Sequence, residues 1–265
     1  MPDAVGGFGS RLGSRLSAKV VMVVGATSGI GRAVALRVAA EGAAVVAAGR
    51  RAELGAGLVA EIVDSGGRAL FVRCDAAVEQ DVASAVEAAV AEFGRLDGAV
   101  NNAGGVLAAE PVDQLSGEGW RAELDLNLNT VFHGLKYQLP AIGRAGGGAV
   151  VNNASAAAVS AVPGLAAYTA AKHGVLGLSR SAALEWADRK VRVNALVTGN
   201  VDTPLYRRLL GASPESPAQD LHAPNPTGRV ADPGEIAGLV AYLLSDEAAF
   251  ITGAALAIDG GMTVP

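Results

Sequence analysis

Tyr168 and Lys172 stand four residues apart in AAYTAAKHG, a spacing that puts both side chains on one face of a helix. A phenol with an ordinary pKa of about 10 is a poor base at neutral pH. An ammonium group beside it favours phenolate and draws that value towards the working range, so the pair has the makings of an acid/base couple. Ser155, at the end of the strand expected just before, can donate a hydrogen bond to a substrate oxygen. The same Tyr-x-x-x-Lys spacing is also that of an ordinary surface pair, and only context separates the two. His173, next to Lys172, is out of helical phase with Tyr168 and is read as a packing or surface residue.

A second group of residues could hold phosphate. Gly25-Ala26-Thr27-Ser28-Gly29-Ile30-Gly31 lies between a strand-like run and a helix-like run. Phosphate binding needs backbone N–H groups at close range and the positive end of a helix dipole. Gly25 would make the turn, Gly29 would allow the approach, and Gly31 would let the helix lie close to the sheet. In a chain with 35 glycines such a run is also simply a turn, and its place in a βαβ unit favours the phosphate reading.

At the end of the second strand stands Gly49, followed by Arg50 and Arg51. An acid there would bind both ribose hydroxyls and repel a 2′-phosphate, but none is present. A guanidinium forks onto phosphate, so the expectation is NADP(H), with NAD(H) as the alternative. The plainer reading makes the two arginines a solvated pair opening a helix. Asp75, just after Cys74, either accepts a bond from an adenine amino group or serves as a turn acid. Asn101, Asn102, Ala103 and Gly104 end the fourth strand on the edge of the sheet where open α/β folds bind ligands.

The elements that must position these groups alternate. Strands are expected at 19–25, 43–49, 68–74, 96–102, 147–155, 190–196 and 254–261, each a short apolar, β-branched run. Helical spacing is expected over 29–41, 52–65, 79–93, within 117–142, over 165–186 and over 232–244, the last with Asp232 as N-cap and Pro233 at its first position. The fold class is therefore α/β: a Rossmann-type, doubly wound, seven-stranded parallel sheet with helices on both faces, in a single domain over 19–265. Residues 1–18 read as a flexible extension, and the proline-rich stretch 203–229 as a substrate lid with a short helix.

Composition excludes several classes. The chain has 265 residues, and its 51% hydrophobic content with only 4% aromatic suits a large aliphatic core. A formal charge of −5 and basic residues no more clustered than pairs give no reason to expect nucleic acid or a membrane surface as partner. Cys74 is the only cysteine, which rules out an internal disulfide and leaves no cysteine-based metal site; a cytoplasmic setting is expected, with no metal. No apolar run is long enough to span a bilayer.

Taken together, GATSGIG at 25–31, CD at 74–75, NNAG at 101–104, Asn127 within DLNLN, Ser155, YTAAK at 168–172, VRVNAL at 191–196, TG at 198–199, Thr203 and ITGAALAIDGG at 251–261 resemble the short-chain dehydrogenase/reductase family. The resemblance runs from about Lys19 to Met262. It implies hydride transfer between a nicotinamide dinucleotide and a small carbonyl or alcohol, with Asn127, Ser155, Tyr168 and Lys172 as catalytic tetrad. By that resemblance Tyr168 is the acid/base and Ser155 polarises the carbonyl. Lys172 depresses the Tyr168 pKa and holds the nicotinamide ribose, while Asn127 binds a relay water.

The cofactor contacts it implies are Gly25, Thr27, Ser28, Gly29, Ile30, Gly31, Arg50, Arg51, Cys74, Asp75, Ala76, Asn102, Ala103, Gly104, Tyr168, Lys172, Gly199, Val201 and Thr203. It also implies a homotetramer or homodimer. A non-catalytic dinucleotide sensor or scaffold is the competing reading, but it predicts loss of Tyr168 or Lys172. The chain departs from the family pattern at Val24, where Thr is usual, and at Thr198, where Pro is usual. Ser28 stands where some NADP(H)-preferring relatives carry a basic residue.

Overall fold

β1 (Val20–Val24) is four valines and a methionine, and all five are buried. A strand apolar on both faces must be covered on both sides, and the chain does this by alternation. The computed structural model describes residues 14–107, 109–211 and 225–264. After β1 come α1 (Gly29–Ala40), β2 (Ala44–Gly49), α2 (Ala52–Asp64), β3 (Arg68–Arg73), α3 (Glu79–Phe93) and β4 (Gly98–Asn101). The second half adds α4 (Gly117–Leu124), α5 (Thr130–Arg144), β5 (Gly148–Asn153), α6 (Ala166–Trp186), β6 (Val191–Thr198), α7 (Pro204–Leu209), α8 (Pro233–Leu244) and β7 (Ala255–Ile258).

The sheet order is β3-β2-β1-β4-β5-β6-β7, with every neighbouring pair parallel. The order reverses between β1 and β4, so a crevice opens beyond the C-terminal ends of those two strands. Two apolar layers flank the sheet. One joins Val20, Met22 and Val24 to α3, α5 and α6. The other joins Val21 and Val23 to α1 and α8. Among the described residues no helix is long and apolar enough to cross a membrane.

Two expectations need correction. The long helix expected within 117–142 is α4 and α5 joined by a π-helical turn, Asp125–Asn129, which carries Asn127. Helical spacing in a sequence does not reveal one extra residue in a turn. The flexible reading of 1–18 fails for its last part. Leu16 is fully buried, its N–H bonds to Glu41 O at 3.0 Å, and Arg15 grips the Glu41 carboxylate at 2.6 and 2.8 Å. Burial works against that carboxylate, but its bonds from Arg15 and Arg37 more than offset this and hold its pKa below the usual range. Residues 1–13 lie outside the described residues. In the stretch expected as a lid, Thr203 caps α7 by accepting the Tyr206 N–H at 3.1 Å, and residues 212–224 lie outside the described ones.

α8 begins with the expected cap. Asp232 Oδ1 accepts the Gly234 N–H at 2.7 Å, and Glu235 Oε2 accepts the Asp232 N–H at 2.8 Å, a reciprocal box. Asp232→Ala is expected to cost about 1 kcal/mol. Urea unfolding should show this as a lower midpoint with unchanged slope, and an unchanged midpoint would refute it.

Candidate active site

The crevice is built first from the turn after β1. Gly25 has φ 84°, where glycine alone is unstrained, and Asn102 Nδ2 donates to its carbonyl at 3.3 Å. α1 starts at Gly29; Ser28 makes no side-chain cap bond, and the first turn contains no acid. Its leading N–H groups are therefore free of side-chain acceptors and point where an anion would sit. A Cβ on Gly31 would lie 2.1 Å from Gly25 O, so only glycine brings the helix this close. These features fit the pyrophosphate of a dinucleotide.

The end of β2 meets the same turn. A Cβ at Gly49 would stand 2.9 Å from Thr27 Cγ2, which leaves no room for an acidic side chain in this arrangement. The two arginines beyond it separate. Arg51 donates to Thr27 Oγ1 at 2.7 and 3.1 Å and to Ser28 Oγ at 2.6 Å, which holds its guanidinium over the glycine turn. Arg50 is well exposed, 3.8 Å from Asp75 Oδ2. Asp75 Oδ1 accepts the Ala77 N–H at 3.1 Å, so it serves as a turn acid while its other oxygen faces Arg50.

Cys74 and Ala76 are buried in the apolar layer that holds α3 and α5, and burial pushes the Cys74 thiol up to about 12. Ile30 is partly buried against the layer holding α8, and Ala103 lies so near Gly25 that a Cβ there would reach Ala103 N at 2.8 Å.

Where the resemblance puts the nicotinamide, Gly199 lies against Asp259, Val201 is buried and Thr203 stands over Gly29. Thr198, where the family pattern has Pro, donates from Oγ1 to Asn153 Oδ1 at 3.3 Å. Asn153 Nδ2 in turn donates to Asn102 Oδ1 at 2.9 Å. A chain of side chains thus links the ends of β6, β5 and β4 to the Gly25 carbonyl. Asn101 is spent below, between Gln138 and Asn152.

Ser155, Tyr168 and Lys172 converge. Ser155 follows β5, and its hydroxyl accepts the Ala157 N–H at 3.2 Å. Lys172 Nζ lies 5.6 Å from the Tyr168 ring centre, is almost fully buried, and donates to Asn153 O at 3.1 Å. In the protein alone the phenol is not depressed as the resemblance implied. Burial pushes Tyr168 up, and its bond with Ser155 offsets only part of this. Lys172 is itself pulled down to about 8 by burial, so its charge is weakened where it is needed. His173 is exposed and donates to Thr169 O at 2.9 Å within its own helix.

Asn127 is fully buried and its side chain is engaged. Nδ2 donates to Gly105 O at 2.8 Å and Glu123 O at 3.1 Å, and Oδ1 accepts the Gly105 N–H at 3.0 Å. Here it fixes the loop after β4 rather than offering a free group to water. One turn earlier on the same face is Glu123, which sequence reasoning missed. It is 3% exposed and accepts the Leu107 N–H at 3.1 Å. The available signal was an acid four residues before Asn127, in phase with a buried position.

Comparison with known proteins gives a concordant set. The enoyl-(acyl carrier protein) reductase family model matches residues 25–263. Cyclohexanol dehydrogenase from Acinetobacter sp. (strain SE19) is 42% identical, covering 95% of this chain and 98% of that protein. 3beta-hydroxysteroid dehydrogenase from Mediterraneibacter gnavus is 39% identical, covering 97% of this chain and 99% of that protein. The crystal structure of levodione reductase has a TM-score of 0.87 at 33% identity, covering 94% of this chain and 98% of that one.

Proposed function

The chain belongs to the short-chain dehydrogenase/reductase family of NAD(P)-dependent oxidoreductases, and from that premise we propose that it interconverts a cyclic secondary alcohol and its ketone with NADP(H). The observation that carries the reading is the convergence of Ser155, Tyr168 and Lys172 beside a glycine turn open to an anion. The ring in the substrate is taken from the relatives, named for cyclohexanol and a hydroxysteroid. An apolar wall supports it: a Cβ on Gly105 would meet the Leu205 side chain of α7 at 3.6 Å, and Leu107 is exposed on the same loop.

A bound dinucleotide would supply the hydride chemistry of the reaction, in either direction, at the carbinol carbon. Gly25, Gly29, Gly31 and the first turn of α1 would hold its pyrophosphate, with Val201 and Thr203 at the nicotinamide end. Tyr168 takes the hydroxyl proton in oxidation and returns it in reduction. Ser155 donates to the substrate oxygen and fixes its distance from the phenol. Lys172, held by Asn153 O, supplies positive charge that favours phenolate. Asn127 keeps the loop at 104–107 against this pair.

The preference for NADP(H) rests on Gly49 and on Arg51 clamped over the turn, with Arg50 beside it. Calorimetry on both cofactors tests it. Arg51→Ala is expected to weaken NADPH binding by roughly 10- to 100-fold and leave NADH nearly unchanged. Tighter binding of NADH by the unaltered chain would overturn the preference. Turnover of a panel of cyclic and open-chain secondary alcohols tests the substrate class, which fails if open-chain alcohols are preferred. A homotetramer or homodimer in the cytoplasm completes the proposal; Leu184 on α6 and Phe250 beyond α8 are apolar and exposed in the single chain.

A further inference from the structure

Glu123 is an ionisable group at this site that the reaction as described does not use. The residue is 3% exposed, yet among the described residues its carboxylate has one hydrogen-bond donor, the Leu107 N–H, shared between its two oxygens at 3.1 and 3.4 Å. A buried carboxylate held by one neutral donor is costly unless a cation lies near. The cation is Lys172, also nearly fully buried, which acts on Glu123 through space rather than in a direct ion pair; both flank the loop at 104–107, where a Cβ on Gly104 would lie 3.4 Å from Lys172 Nζ and 2.8 Å from Asn127 Oδ1. Glu123 and Tyr168 also line a shared cavity of about 10 Å³, room for about one water molecule.

The groups around Glu123 are few. α6 presents Tyr168 and Lys172, and the loop ahead of α4 presents Glu110 at the far side of the small cavity. On its own helical segment, Arg121 and Asp125 are exposed and turned away. Among the described residues, Glu123 is thus the one buried acid beside the buried amine.

We propose that Glu123 is a positioning residue for proton transfer, the buried counter-charge of Lys172 that sets the pH range over which the Tyr168–Lys172 pair works. The inference rests on the acid/base reading given above. A carboxylate favours a nearby ammonium and disfavours a nearby phenolate, so ionised Glu123 moves both equilibria to higher pH. Burial pulls Lys172 down to about 8, and Glu123 opposes that fall. Burial pushes the Tyr168 phenol up, Ser155 opposes this, and Glu123 adds to the rise. The Glu123 carboxyl is itself pushed up by burial, against the pull of the Leu107 N–H and of Lys172. The two partners titrate together, and the measurable quantity is the apparent pKa of the pair.

The test is the pH profile of alcohol oxidation by the full chain. Glu123→Gln retains an acceptor for the Leu107 N–H but loses the charge. Because removal of a negative charge lowers both equilibria, the pH of half-maximal kcat/KM should move down by roughly one unit. Glu123→Met should do the same, while Glu123→Asp should lie nearer the unaltered enzyme, with dinucleotide affinity equal in all. A profile left in place in Glu123→Gln, or a loss equal at every pH, overturns the proposal, since a loop-holding role predicts the latter. Tyr168→Phe separates the two readings: if it keeps full turnover, the acid/base reading has failed, not the assignment of Glu123 alone. Should the Glu123 variants not fold, carbon-13 lysine spectra of the unaltered chain decide. A Lys172 signal that also responds to titration of a neighbouring carboxyl at lower pH supports the proposal, and a single inflection overturns it.

Discussion

Tyr168→Phe is expected to lower kcat by about 1,000-fold, within the range of roughly 100- to 10,000-fold for loss of a general acid/base. The ring remains and so does its contact with Lys172, 5.6 Å away, so the α6 surface and the fold are preserved. What disappears is the one oxygen that shares a hydrogen bond with Ser155 and can take the substrate proton. Ser155 cannot replace it, because an aliphatic hydroxyl is far too weak an acid or base at neutral pH. Lys172 cannot either, since its Nζ is buried and directed at Asn153 O. The loss should fall on kcat, with dinucleotide affinity and thermal midpoint unchanged. Turnover within a few-fold of the unaltered chain would remove Tyr168 from the mechanism.

The second large effect concerns the glycine turn. In Gly31→Ala the new Cβ would lie 2.1 Å from Gly25 O and 2.7 Å from Asn102 Nδ2. The first contact is with backbone and cannot be relieved by a rotamer change, so α1 must withdraw from β1. That moves the N–H groups meant for pyrophosphate, and the loss of one or two charge-assisted bonds should weaken dinucleotide binding on the order of 100-fold. Overpacking at a site this tight should also cost about 1–3 kcal/mol of stability. Gly57→Ala is the control. A Cβ there meets nothing within 4 Å inside α2, and this change should stabilise the chain by about 1 kcal/mol. Dinucleotide binding by Gly31→Ala equal to that of the unaltered chain would show that the close approach is not needed.

The strands were legible because parallel strands covered on both faces are nearly continuous β-branched runs, as in Val20–Val24. The Tyr168–Lys172 pair was legible because helical spacing fixes which side chains share a face. Other features depend on contacts that spacing does not carry. Arg50 and Arg51 are equivalent as letters, and only the hydroxyls of Thr27 and Ser28 separate them. Leu16 joins the core through a partner backbone 25 residues on, at Glu41, which composition alone does not suggest. The rise that burial gives the Tyr168 phenol is equally invisible in spacing, because desolvation depends on surroundings brought together from several segments. Glu123 escaped notice for a related reason: acids are rarely buried, so an acid in a helix reads as solvent-facing.

The π-helical turn at Asp125–Asn129 has a consequence for anyone engineering this chain. Such a turn is an α-helix holding one residue too many. Deleting that residue would give α4 and α5 a regular shared ladder, and a search for stabilising edits would favour it. The flanking helices could keep their register, but a deletion between Glu123 and Asn127 would shorten their spacing from four residues to three and turn one of them off the shared face. Asn127 and Glu123 would then lose their common hold on the loop at 104–107. At this point in the helix, robustness and activity are opposed design goals, and a thermostable variant obtained by trimming the turn should be screened first for lost turnover.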